Sequence, residues 1–226
     1  MVEVEIVPAI LPRSAADLEN HLEKIRDSVP LVQIDVVDGI FAPTKTWPYV
    51  GGDEFERIVA QDEGLPFWED FDFQFDLMVD DAAKQAERFV QAGAAGIVIH
   101  AAAGARGALE ALQESRGGVS LGLALLPGAT VDQLQMFDGL YDFVQVMGIA
   151  EVGSQGNPFD ERTLALVTAL RAAYPAVLIQ IDGGVSLSNA SALVQVGANR
   201  LVVGSSIFKT DDPLEAYKKL YTEVNA

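Results

Sequence analysis

The sequence predicts an α/β fold, a single (β/α)8 TIM barrel spanning residues 1–226. Three observations carry that expectation. The length of 226 residues falls within the roughly 200–250 that such a barrel commonly occupies. Eight short apolar or β-branched runs alternate with segments of helical period. Finally, Gln91-Ala-Gly-Ala-Ala-Gly-Ile-Val-Ile-His100 resembles Gln195-Val-Gly-Ala-Asn-Arg-Leu-Val-Val-Gly204, as though two half-barrels had been joined. A doubly wound open sheet would give the same alternation, and the internal likeness favours closure.

The strand-like runs are 5–11, 31–36, 71–79, 96–101, 119–125, 141–147, 177–182 and 200–203. After Ser14, with Asp17 completing an approximate capping box, Leu18, Leu22, Ile25 and Val29 share one helical face. Ala82, Ala86, Phe89 and Gly93 repeat that pattern after Asp80. The second and fifth helices, about 53–61 and 130–137, are weakly patterned. Gly93 and Gly197 stand where helices end in a left-handed cap. A short helix follows at 205–208. The last begins at Asp212-Pro213 and aligns Leu214, Tyr217, Tyr221 and Val224.

Composition narrows the function classes. Half the residues are hydrophobic and 21% are charged, as in a folded domain. The absence of cysteine excludes disulfides, thiolate metal sites and a cysteine nucleophile, and suits a reducing compartment. A net charge of −18 repels nucleic acid and anionic membranes, so neither is an expected partner. The first ten residues carry two Glu and Pro8, unlike a signal peptide, and apolar runs such as 121–127 are too short to span a bilayer. The expectation is a cytoplasmic protein.

In a βα barrel, chemistry gathers at the C-terminal ends of the strands. In Val32-Gln-Ile-Asp-Val-Val37 the period-two rule sets Gln33, Asp35 and Val37 on one face and the apolar Ile34 and Val36 on the other. The apolar face must pack under helices, so Gln33 and Asp35 point into the barrel. The same rule groups Gln74, Asp76 and Met78, and turns Gln180 and Asp182 inward. Three carboxylates thus converge at the mouth, at a cost that a divalent cation, a shared proton or a lysine such as Lys45 must offset. Asp38 reads better as a cap for the next helix. Glycines follow the seventh and eighth runs, at Gly183, Gly184 and Gly204-Ser205, with a helix start beyond; barrels bind phosphate in this arrangement. The loop 148–156 is long enough to fold over a ligand.

These residues give the chain a resemblance to the ribulose-phosphate 3-epimerase family over nearly its whole length. The matching stretches are Pro8-Ala-Ile-Leu11, Ile34-Asp-Val-Val-Asp-Gly-Ile-Phe-Ala-Pro43, Asp76-Leu-Met-Val79, Ala92-Gly-Ala94 with His100, Leu123-Ala-Leu-Leu-Pro127, Val146-Met147, Ile181-Asp-Gly-Gly-Val185 and Gly204-Ser205. The resemblance implies a ribulose-phosphate-binding barrel that inverts carbon 3 of a ketopentose 5-phosphate through an enediolate. It assigns Asp35 and Asp182 as the acid/base pair. Met78, His100 and Met147 would contact substrate, and Gly153, Gly156, Gly183, Gly184, Gly204 and Ser205 would hold the phosphate. Ordinary core packing accounts for the two methionines nearly as well.

The family holds a divalent metal with two His and two Asp, and here both histidine positions differ, being Gln33 and Asp76. Ala9 stands where the family has a serine that contacts substrate, and the 148–156 loop departs from the family's run. The surviving set, Gln33, Asp35, Asp76 and Asp182, is all oxygen and suits Mg or Mn over Zn or Fe. Either the site takes a harder cation or it has lost its metal. Family members often form dimers or hexamers, so the resemblance allows a homo-oligomer. Two other readings stay open: a related barrel enzyme (a different epimerase, a decarboxylase or an aldolase) on another ketose phosphate, and a non-catalytic sugar-phosphate-binding barrel.

Overall fold

The structure, a computed structural model, describes residues 3–26, 28–102 and 104–226. Its strands are β1 (Glu5–Ile10), β2 (Leu31–Val37), β3 (Asp72–Met78), β4 (Gly96–His100), β5 (Ser120–Leu125), β6 (Phe143–Met147), β7 (Leu178–Asp182) and β8 (Arg200–Val203). Its helices are α1 (Ala15–Glu23), α2 (Glu54–Val59), α3 (Ala82–Gln91), α4 (Ala105–Ser115), α5 (Asp132–Gln135), α6 (Arg162–Ala173), α7 (Ala190–Gln195), α8 (Ser205–Phe208) and α9 (Pro213–Asn225). The strands pair in parallel and in sequence order, and β1 closes on β8 from Glu5↔Arg200 to Pro8↔Val203. The sheet is a closed barrel, not a doubly wound open one. Among the described residues, no helix is long and apolar enough to cross a membrane.

Local signals set most boundaries. Ser14 caps α1 by accepting from the Asp17 N–H at 3.1 Å, and Asp212 caps α9 by accepting from the Glu215 N–H at 2.9 Å, with Pro213 in the first turn. Gly93 and Gly197 have φ of 93° and 118°, the left-handed turn their places after α3 and α7 predict. Two details differ from the sequence reading. α1 ends at Glu23, so Ile25 and Val29 are buried from the turn beyond it rather than from its face. Asp81, not Asp80, caps α3, because the Asp80 N–H is already committed to the Asp38 carboxylate at 2.8 Å.

The core has two compartments, separated by the strand period. Ile34, Val36, Phe75 and Leu77 point outward into a continuous apolar layer beneath the helices. The interior holds three smaller clusters: Val7, Ala9 and Val202; Val98, Ala124, Phe143 and Met147; and Val37, Ala42 and Met78. Between them lies a polar belt, and that belt positions the site.

Candidate active site

Four glutamines build the belt: Gln33 on β2, Gln74 on β3, Gln145 on β6 and Gln180 on β7, each at most 1% exposed. Strand register places Gln33 opposite Gln74 and Gln145 opposite Gln180. Gln74 and Gln180 donate to the Gln33 Oε1 at 2.7 and 3.2 Å, and Gln180 also donates to Gln145. At the closed end, Arg200 donates to the Gln180 Oε1 at 3.2 Å while pairing with Glu5. Every amide is therefore engaged, as a buried polar group requires.

The belt ends on three acids one pleat nearer the mouth. Asp35 and Asp76 are register partners on β2 and β3, and Asp182 reaches in from β7. Gln33 Nε2 donates to Asp35 Oδ1 at 2.9 Å and to Asp182 Oδ2 at 2.8 Å. Gln145 Nε2 donates to Asp76 Oδ2 at 3.0 Å and Asp182 Oδ2 at 3.3 Å. His100, on β4, lies 2.8 Å from Asp76 Oδ1 and packs against Phe41, ring centroids 5.2 Å apart.

Burial dominates the electrostatics. It pushes the Asp35 carboxyl well above the usual carboxylate range, and the charges of Asp182 and Asp76 push the same way against the amide donors. Asp182 rises to about 7, through burial first and the Asp76 charge second. Burial also disfavours a charged His100, yet the adjacent Asp76 carboxylate, by charge and hydrogen bond, holds its pKa above the ordinary imidazole value. Asp35 and Asp182 can thus hold or release a proton near neutral pH, as acid/base work requires.

Lys45 is not the counter-charge. Its backbone bridges Asp38, its stem lies over Gly39, and among the described residues no ion pair joins it to the three acids. Asp38 caps a loop, not a helix. It accepts from the N–H groups of Ile40, Phe41 and Asp80 at 2.7–2.9 Å. Burial opposes its ionisation, but those donors outweigh it and hold its pKa below the usual value.

The acids suit a hard divalent cation. Asp35, Asp76 and Asp182 each offer a buried carboxylate oxygen, all within 4.8 Å of one another, with only His100 nearby as a balancing charge. Gln33 turns its amide nitrogen, not its oxygen, toward them, because the oxygen accepts from Gln74 and Gln180.

Asp35, Asp182, Met78 and Met147 line one recess at the mouth. Gly153, Gly156, Gly183, Gly184, Gly204 and Ser205 form its other side. Gln33, Asp76 and His100 are buried beneath it. Gly184 has φ of 67°, and a Cβ there would come within 2.8 Å of the Phe159 backbone, so a side chain would break the turn. Sequence reasoning missed two residues. Gln145 carries the signal that marked Gln33, a lone amide in an apolar strand; Gln155, in the loop after β6, carries none.

Comparison with known proteins agrees with this arrangement. The family model described as the ribulose-phosphate 3 epimerase family matches residues 5–208. A ribulose-phosphate 3-epimerase of Candida glabrata is 30% identical over 233 residues, covering 99% of this chain and 94% of that protein. One from Schizosaccharomyces pombe is 27% identical, covering 99% and 95%. The rice cytoplasmic isoform is 28% identical, covering 97% and 94%. Among solved structures, a 3-hexulose-6-phosphate synthase superposes with TM-score 0.70 at 21% identity, covering 97% of this chain and 99% of its own. KGPDC from Streptococcus mutans, solved with ribose 5-phosphate bound, gives 0.73 at 16% identity, covering 98% and 97%. At such identities these structures speak for the barrel fold alone.

Proposed function

Because the chain belongs to the ribulose-phosphate 3-epimerase family, we propose that it is an isomerase that inverts carbon 3 of a ketopentose 5-phosphate. One observation carries the reading: Asp35 and Asp182 face a single recess from β2 and β7, with β8 and β1 between them, and both have carboxyl pKa values raised toward neutrality. Inversion needs a proton taken from one face of carbon 3 and another returned to the opposite face. One carboxylate removes the proton, leaving an enediolate across carbons 2 and 3, and the other carboxyl group protonates the far face. Mutual repulsion between the buried acids favours the state with one proton on the pair, which this exchange uses.

Met78 and Met147, each 3% exposed, form apolar walls that exclude water from the reacting carbon. Backbone N–H groups at Gly183, Gly184, Gly204 and Ser205, with the Gly153–Gly156 turn, hold the phosphate without a side-chain cation. Asp35, Asp76 and Asp182 would hold a divalent ion, Mg or Mn by their oxygen donors, with Gln33 joining only by turning its amide over. Such an ion would stabilise negative charge on the enediolate oxygens. A cytoplasmic location belongs to the same proposal and draws on the name of the rice relative.

The test is isotope exchange. With ribulose 5-phosphate in deuterated buffer and Mg or Mn, NMR should show xylulose 5-phosphate and deuterium at carbon 3, both abolished in D35N and D182N. Turnover of another ketose phosphate, or carbon–carbon cleavage without exchange at carbon 3, would point to a different enzyme on this barrel. Saturable binding with no turnover under any divalent ion would make it a binding protein.

A further inference from the structure

Resting on the epimerase reading, we propose that Gln155 is a specificity-determining residue. Its amide hydrogen-bonds the substrate hydroxyl lying between the carbon served by Asp35 and the phosphate held at Gly204. In a ketopentose 5-phosphate that is the hydroxyl on carbon 4.

The β6–α6 loop descends over the barrel mouth. Val152 packs on both interior clusters at the rim, the one with Met147 and the one with Met78. Gly153 lies so close to β2 and its loop that a Cβ on it would stand 2.6 Å from the Ala42 methyl. This descent carries Gln155 inside. Its Nε2 donates to the Ala9 carbonyl at the end of β1 at 3.1 Å, and its side chain reaches toward the Asp35 carboxylate, opposing the effect of burial there. A Cβ built on Gly204 would lie 2.4 Å from the same nitrogen. Gln155 therefore stands between the acid and the phosphate loops, on the line a bound sugar phosphate would follow.

The free space left around it is about 40 Å³. Ligand sites usually offer roughly 300–1,000 Å³. A substrate entering here must take the room that Gln155 fills and exchange its hydrogen bonds. An amide suits that exchange, since it can donate to or accept from a hydroxyl without adding charge beside three carboxylates. Ala9, the nearest residue on β1, has no polar side chain to do so. A neutral site built to bond a hydroxyl also rejects an analogue lacking it, because its own polar atoms are left unpaired.

Calorimetry on wild type, Q155A and Q155L would measure binding of ribulose 5-phosphate, its 4-deoxy analogue and inorganic phosphate. Q155L keeps the bulk of the side chain and removes only its hydrogen bonding. Wild type should bind ribulose 5-phosphate roughly 10- to 100-fold more tightly than the deoxy analogue. Both variants should bind the two alike, with inorganic phosphate unchanged within about twofold. Retained discrimination in Q155L would overturn the proposal. So would tighter binding of both sugars, which would make Gln155 a mere plug, or a parallel loss of phosphate binding, which would make it a loop brace. Turnover by wild type is scored separately, so failure of the epimerase reading would be seen as lost activity and not as an effect on Gln155.

Discussion

Replacing Asp182 with Asn should stabilise the folded chain while ending proton transfer. Asp182 is 8% exposed, and burial with the neighbouring Asp76 charge raises its pKa from 3.8 to about 7. A rise of that size corresponds to about 4 kcal/mol opposing folding at pH values above 7. Asn removes that opposition but weakens the bonds that Oδ2 accepts from Gln33 and Gln145, a loss of about 2 kcal/mol. The net gain at pH 8 is then about 2 kcal/mol, or roughly 4–8 °C in Tm for a chain of this size. Because the folded pKa lies above the unfolded one, the wild-type fold gains stability as pH falls from about 7 toward 4. The advantage of D182N should therefore shrink across that window and vanish near pH 4. Urea titrations with a chelator present, at pH 8, 6 and 4.5, would measure it. A D182N protein less stable than wild type at pH 8, or a difference that ignores pH, would refute the electrostatic reasoning.

Other consequences are as direct. D38A strands the N–H groups of Ile40, Phe41 and Asp80 and should cost about 1.5–3 kcal/mol at pH 7 in urea unfolding. The Asp38 pKa is depressed in the fold, so its contribution is present above the unfolded value of 3.8 and is lost as pH falls through the lower folded value. The penalty of D38A should fade there. G184A sets a Cβ against the Phe159 backbone at positive φ; it should lower stability by about 1–3 kcal/mol and weaken inorganic phosphate binding measured by calorimetry. If the three aspartates hold a cation, Mn binding followed by electron paramagnetic resonance should weaken at least 10-fold in D76N. Unchanged affinity there would place any ion elsewhere.

The strand period alone made the inward faces of β2, β3 and β7 legible, because alternation is a property of each strand's own backbone. Gln33, Asp35, Asp76 and Asp182 could be read from it, as could the caps at Ser14 and Asp212, which act within four residues. Closure could not be read so directly. The β1–β8 pairing joins residues nearly 200 positions apart, and only that pairing brings Asp182 to within a shared hydrogen-bond donor of Asp35. The tertiary structure also decided that amides and His100, rather than Lys45, compensate the acids. It turned the Gln33 nitrogen toward them by occupying its oxygen from Gln74 and Gln180. Local sequence sets which way a side chain leaves its own strand, whereas the groups it meets come from distant strands and loops. Gln155 reaches the mouth only because a whole loop folds down onto β1 and β2.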